Sequence, residues 1–163
     1  MTATRGYLIA ALIFLADQIS EYWIVSIVEL ERIGSIPILP SFNLTWVENR
    51  GVAMGLFEAG SDVGRWLLVG LTAAIAAAII WWMNNERDRV DLFAMSLVLG
   101  GAIGNIVDRV RLGYVVDFVH LYWRDYDFYV FNVADASITV GVGLLLLRAF
   151  FGEDAHARKE DHA

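Results

Sequence analysis

Apolar residues gather into four long runs along the chain, each near the roughly 20 residues that a helix needs to cross a bilayer. The first, about residues 7–28, is interrupted by Asp17 and Glu21. The second, 66–83, has no charged residue and carries tryptophans near both ends, where interfacial anchors belong. The third, about 92–107, is short and is closed by Asp91 and Asp108. The fourth, about 128–147, has Asp135 as its only charge. Four transmembrane helices are therefore expected.

The connections are unequal. Residues 84–90 form a short polar link, so spans two and three make a tight hairpin. Residues 29–65 are long enough for structure of their own and hold both prolines, Pro37 and Pro40. There Phe42-Asn43-Leu44-Thr45-Trp46 alternates apolar and polar, the period of a half-buried strand, and Asn49-Arg50-Gly51 reads as a turn. Residues 113–123 are a candidate partner strand. The expected fold class is a membrane all-α bundle of four transmembrane helices with a small extracytoplasmic β-cradle. One integral-membrane domain covers 1–151, with the cradle drawn from about 29–65 and 108–127, and a polar, disordered tail covers 152–163. The N-terminal run resembles a signal peptide, but no small-x-small cleavage site follows it, so it is read as a retained span.

Composition narrows the chemistry. The chain has 163 residues, 58% of them hydrophobic, with mean hydropathy +0.54 and 19% charged, which fits one membrane domain. A net charge of −7 argues against a nucleic-acid partner. Cysteine is absent, which removes disulfides, thiolate zinc sites and a cysteine nucleophile. The only lysine, Lys159, lies in the tail, so a membrane Ser–Lys dyad is excluded as well. Four spans put both termini on one side. Arg5, Arg87, Arg89, Arg148, Arg158 and Lys159 then oppose Arg32, Arg50, Arg65, Arg109, Arg111 and Arg124. The counts tie, but the terminal side has fewer loop residues and hence the denser positive charge, so the termini are placed in the cytoplasm.

Two carboxylates stand among apolar residues: Asp117 in Val-Val-Asp-Phe and Asp135 in Asn-Val-Ala-Asp-Ala. Such a group is costly unless paired, protonated or used. Brought together by a hairpin-like turn, the two would form an acid/base pair. Taken alone, Asp135 would be a first-turn acid favoured by the helix dipole. Asn105 and Asp108 share a helix face, and Gly101 and Gly104 before them allow close helix packing. Asp17 and Glu21 are one turn apart, so one should be protonated or turned to a polar partner, and a structural role is expected for Asp17. His120 follows Asp117 by three, which is weak evidence for a metal, and it is read as an interfacial aromatic.

These motifs together resemble the signal peptidase II family of bacterial aspartyl membrane proteases, the lipoprotein signal peptidases. The matching segments are Asp17-Gln18, Asn49-x-Gly51-x-Ala53, Gly101-Ala102-Ile103-Gly104-Asn105-x-x-Asp108-Arg109, Val115-Val116-Asp117-Phe118 and Phe131-Asn132-x-Ala134-Asp135. The resemblance implies that Asp117 and Asp135 are the catalytic dyad, and that Asn49, Gly51, Asn105, Asp108, Arg109 and Asn132 bind substrate or support the site. It implies no metal or cofactor. The implied substrates are diacylglyceryl prolipoproteins, cut just before the lipid-modified cysteine. The implied place is the bacterial inner membrane, with the active site at the periplasmic face, and the enzyme is expected to be a monomer in contact with membrane lipid. The chain departs from the family pattern at Glu21, where lysine is common, at Met54, where phenylalanine is usual, and at Ala136, where serine is common. Two other readings compete. A presenilin-type protease would need Gly-x-Gly-Asp and Tyr-Asp motifs within spans, and neither lies in one. A proton-coupled carrier relaying through Asp17, Asp108 and Asp135 would need repeat-related broken helices, and none is visible.

Overall fold

The computed structural model of the chain describes residues 1–51, 62–124 and 126–151. Ala53 and Met54 of the second motif and the expected tail 152–163 lie outside the described residues. Helix α1 (Ala3–Tyr22) starts at an N-cap, Thr2, whose side chain accepts from the Arg5 N–H, and it widens into a π-helical turn at Trp23–Ile27. Glu29 then takes a left-handed conformation, φ 51°, which turns the chain into the single helical turn α2 (Leu30–Ile33). Strands β1 (Ser35–Leu39) and β2 (Phe42–Asn49) follow, then α3 (Asp62–Asn85) and α4 (Arg89–Arg111). Strands β3 (Val115–Trp123) and β4 (Tyr126–Phe131) lead into α5 (Val133–Phe151). The four strands form one antiparallel sheet in the order β1-β2-β3-β4.

Among the described residues, four helices are long and apolar enough to cross a membrane. Their limits correct the expected ones. The fourth starts at Val133, not near 128, because the β-branched and aromatic run Phe128-Tyr129-Val130-Phe131 is strand β4 and helix begins only after Asn132. The third runs through Asp108 to Arg111, since Asp108 Oδ1 accepts from Gln18 of α1 and Gly113, at φ 89°, ends the segment. The second begins at Asp62, so residues 62–65 are helix rather than cradle.

Helix α4 is the centre of the bundle, with α1, α3 and α5 packed around it. Its apolar window is 67% buried, against 17–22% for the other three, so their outward leucines and isoleucines are left for lipid. Lipid tails are as apolar as leucine, so close approach of backbones must hold such helices together. Glycines make it possible. A Cβ on Gly100 would meet the Ala10 carbonyl oxygen at 2.6 Å, and one on Gly141 would meet that of Ala94 at 2.6 Å. One on Gly101 would run into the Ala134 carbonyl oxygen of α5. A second apolar cluster, Ile24, Leu30, Val116 and Phe118, seats the sheet against the end of α1.

Candidate active site

The turn between β4 and α5 sets the position of Asp135. Asn132 is the N-cap of α5: its Oδ1 accepts from the Asp135 N–H at 2.9 Å. The neighbouring Ala134 N–H donates to Asp17 Oδ1 at 2.8 Å, so α1 supplies a second cap from across the bundle. Asn132 is fully buried and spends both amide hydrogens, on the Val116 carbonyl at 3.3 Å and on Glu21 Oε1 at 3.2 Å. It therefore ties the residue before Asp117 to the backbone of Asp135. The Asp135 carboxylate in turn accepts from Asn105 Nδ2 of α4 at 2.9 Å.

Asp117, fully buried on β3, is held from the other side. Asn49 Nδ2 donates to its Oδ2 at 3.0 Å and to the Tyr129 hydroxyl at 3.1 Å. Asn49 Oδ1 accepts from the Gly51 N–H at 3.0 Å, a turn that Gly51 makes at φ 74°. The Asp117 and Asp135 carboxylates are close enough for the charge of each to act on the other. Two ionised carboxylates that close repel each other, which favours a single proton on the pair. Burial first, and then the Asp135 charge, push the Asp117 carboxyl up to about 7, against the pull of Asn49 and Arg109. Asp117 Oδ1 is buried and meets no donor among the described residues.

A second group of carboxylates lies beside this pair. Gln18 Nε2 reaches Asp108 Oδ1 at 3.0 Å, Glu21 Oε2 at 3.0 Å and Asp17 Oδ2 at 3.4 Å. All three acids are buried, and among the described residues no Lys or Arg pairs with them. Asp17→Asn should keep an oxygen for the Ala134 N–H and cost little stability. Asp17→Leu should orphan that amide and cost roughly 1–3 kcal/mol. Thermal unfolding and turnover, measured on both variants, check this. If Asp17→Asn unfolds like the parent yet is inactive, Asp17 belongs to the chemistry.

Of the residues singled out in the sequence, Asn49, Asn105, Asn132, Asp117 and Asp135 converge, and Gly51 supports Asn49. Arg109 contributes its charge to both carboxylates, with its Nη1 donating to the Asn105 carbonyl at 3.3 Å. Asp108 and Asp17 belong to the adjoining Gln18 cluster. His120 is bonded to Thr45 Oγ1 at 3.2 Å and lies 3.3 Å from Asp127, and the described residues contain no cluster able to hold a metal. Tyr129 was not foreseen, because its aromatic run reads as the start of a span. A cleft of about 580 Å³ opens beside the pair, lined by Asn49, Tyr129 and Asp135 and by Ile138 and Thr139 of α5.

Four helices long and apolar enough to cross a membrane, an antiparallel sheet, and two neighbouring carboxylates of which Asp135 lines a cleft define a multi-pass membrane enzyme. Residues 9–151 match the family model for signal peptidase (SPase) II. The chain is 50% identical over 153 residues to the lipoprotein signal peptidase of Sphingopyxis alaskensis, covering 92% of this chain and 88% of that one. It is 54% identical over 145 residues to that of Rhizorhabdus wittichii, covering 88% and 84%. It also superposes on a solved bacterial membrane enzyme structure with TM-score 0.78 and 31% identity, over 91% of this chain and 94% of that chain. The chain belongs to the signal peptidase II family, and it is a peptidase of lipoprotein processing rather than a carrier.

Proposed function

We propose that this enzyme removes signal peptides from diacylglyceryl prolipoproteins, cutting just before the lipid-modified cysteine, with Asp117 and Asp135 sharing one proton. The observation that supports this reading is the convergence of buried Asp117, held by Asn49, and half-buried Asp135, held by Asn105, at the edge of the cleft along α5. The ionised member takes a proton from water as the water oxygen attacks the scissile carbonyl carbon, and the protonated member donates to the carbonyl oxygen. When the tetrahedral diol collapses, the C–N bond breaks. The leaving amine takes the proton that the former base drew from water, the former acid takes a diol hydroxyl proton as the C=O bond re-forms, and one proton remains on the two carboxyls. Acid and base roles belong to the pair and not to either residue. Asn49 and Asn105 fix one carboxylate each, and Arg109 limits the cost of their shared negative charge.

A diacylglyceryl anchor would hold the scissile bond at headgroup depth, where β3 and the first turn of α5 present the pair. Termini in the cytoplasm and the site at the periplasmic face of the inner membrane follow if positive charge density sets the topology, and the monomer in contact with lipid is the working unit. In lipid vesicles the purified enzyme should cleave a diacylglyceryl-modified precursor at the cysteine and leave the unmodified precursor intact, as read by product mass. Equal cleavage of both would overturn the lipid requirement. A reporter fused after Phe151 should read cytoplasmic and one at Ser61 periplasmic, and the reverse would put the site on the wrong face.

A further inference from the structure

We infer that Tyr129 is a further catalytic residue, its phenol hydroxyl donating a hydrogen bond to the oxygen of the scissile carbonyl as that oxygen gains charge. The inference rests on the carboxyl-pair reading and adds a second donor to it. Asn49 Nδ2 sends one hydrogen to Asp117 Oδ2 at 3.0 Å and the other to the Tyr129 hydroxyl at 3.1 Å. The phenol oxygen is thus an acceptor in its own bond, and its proton is left to give; among the described residues no acceptor takes it. Because both oxygens hang on one nitrogen, they can be no further apart than the sum of those two distances. Both groups are thus within reach of one bound carbonyl and its attacking water.

Three more observations agree. Tyr129 lines the cleft together with Asp135, so substrate that meets the carboxyl pair also meets the phenol. The residue is 69% exposed, so its ring is not committed to the core and stands where a substrate would lie. Partial desolvation of the hydroxyl, and then the charges of Asp117 and Asp135, raise its ionisation above the ordinary phenol value, which keeps it a donor at neutral pH. A hydrogen bond that strengthens as the carbonyl oxygen becomes anionic lowers the barrier without altering the proton count of the reaction.

The test is Tyr129→Phe, which keeps the ring and removes only the hydroxyl. In lipid vesicles with a diacylglyceryl-modified precursor, kcat should fall about 10- to 100-fold while KM stays within about twofold. The thermal midpoint and the alkaline limb of the pH profile should not move, since Asn49 still holds Asp117. Turnover within about threefold of the parent would overturn the proposal and leave the ring as a cover for the cleft. A fall in kcat accompanied by a shifted alkaline limb would also overturn it, because the hydroxyl would then act through Asn49 and Asp117. Failure of the pair reading is a separate result, read from the aspartate variants and not from this one.

Discussion

Asp117→Asn and Asp135→Asn should each reduce turnover roughly 1,000-fold or more while leaving a folded, membrane-inserted protein. In either variant the remaining carboxyl has no acidic partner with which to share a proton, so the acid and the base can no longer coexist. Because the two act as one unit, the double variant should be little worse than either single one. The parent should lose kcat/KM as pH rises above about 7, where Asp117 gives up its proton and the pair becomes doubly charged. Stability should carry the same signature. The folded state holds this proton more tightly than the unfolded chain does, so the group's contribution is complete below its ordinary value of 3.8 and is lost as pH rises through about 7. Asp117→Asn has no such slope, and above pH 7 it should melt at or above the parent temperature. Product mass and thermal unfolding across pH check both halves. Near-parent turnover in either single variant would sink the pair.

Gly101→Val should do nearly as much damage from outside the site. A Cβ there runs into the Ala134 carbonyl oxygen and lies 2.6 Å from Ser137 Oγ and 2.9 Å from Ile138 Cγ1. The backbone of α5 cannot yield by a rotamer change, so the first turn of the helix must move away from α4. Overpacking of this kind costs about 1–3 kcal/mol. The functional loss should be larger, because Asp135 follows Ala134 directly and a displacement of about 1 Å in a reacting group costs about 100-fold in rate. Gly143→Ala is the control: nothing stands within 4 Å of its Cβ position, and neither melting nor turnover should change. An active Gly101→Val enzyme would show that Asp135 does not depend on this helix contact.

The four spans were legible because a bilayer imposes a length and an apolarity that few other constraints mimic. The strand at Phe42 was legible from its alternation, but only as far as Trp46. Register in the sheet shifts between Leu44 and Val47, so two intervening residues of β2 face one of β3. That bulge puts Leu44 and Val47 on one face although they are three apart, and it carries Asn49 onto the face of Asp117. Alternation counted along the sequence breaks at this point, so Asn49 reads as a turn residue. The links from Asn132 to Glu21 and from Ala134 to Asp17 join residues more than a hundred positions apart, and nothing in local pattern announces them. Phe128 to Phe131 were misassigned for a related reason. An aromatic strand leading into a transmembrane helix has the same hydropathy as the helix itself.

The contact between Asp17 and the Ala134 N–H also bears on how the enzyme comes into being. It joins α1 to α5. Until α5 arrives, Asp17, Glu21 and Asp108 have Gln18 to share but no Ala134 amide and no Asn132 to receive, and Asp117 has no partner to share a proton with. On the proposed reading, a nascent chain that has inserted α1, α3 and α4 still lacks the carboxyl pair. On that reading, the pair is complete only when α5 docks and its first turn is capped by Asp17, a residue made more than a hundred codons earlier.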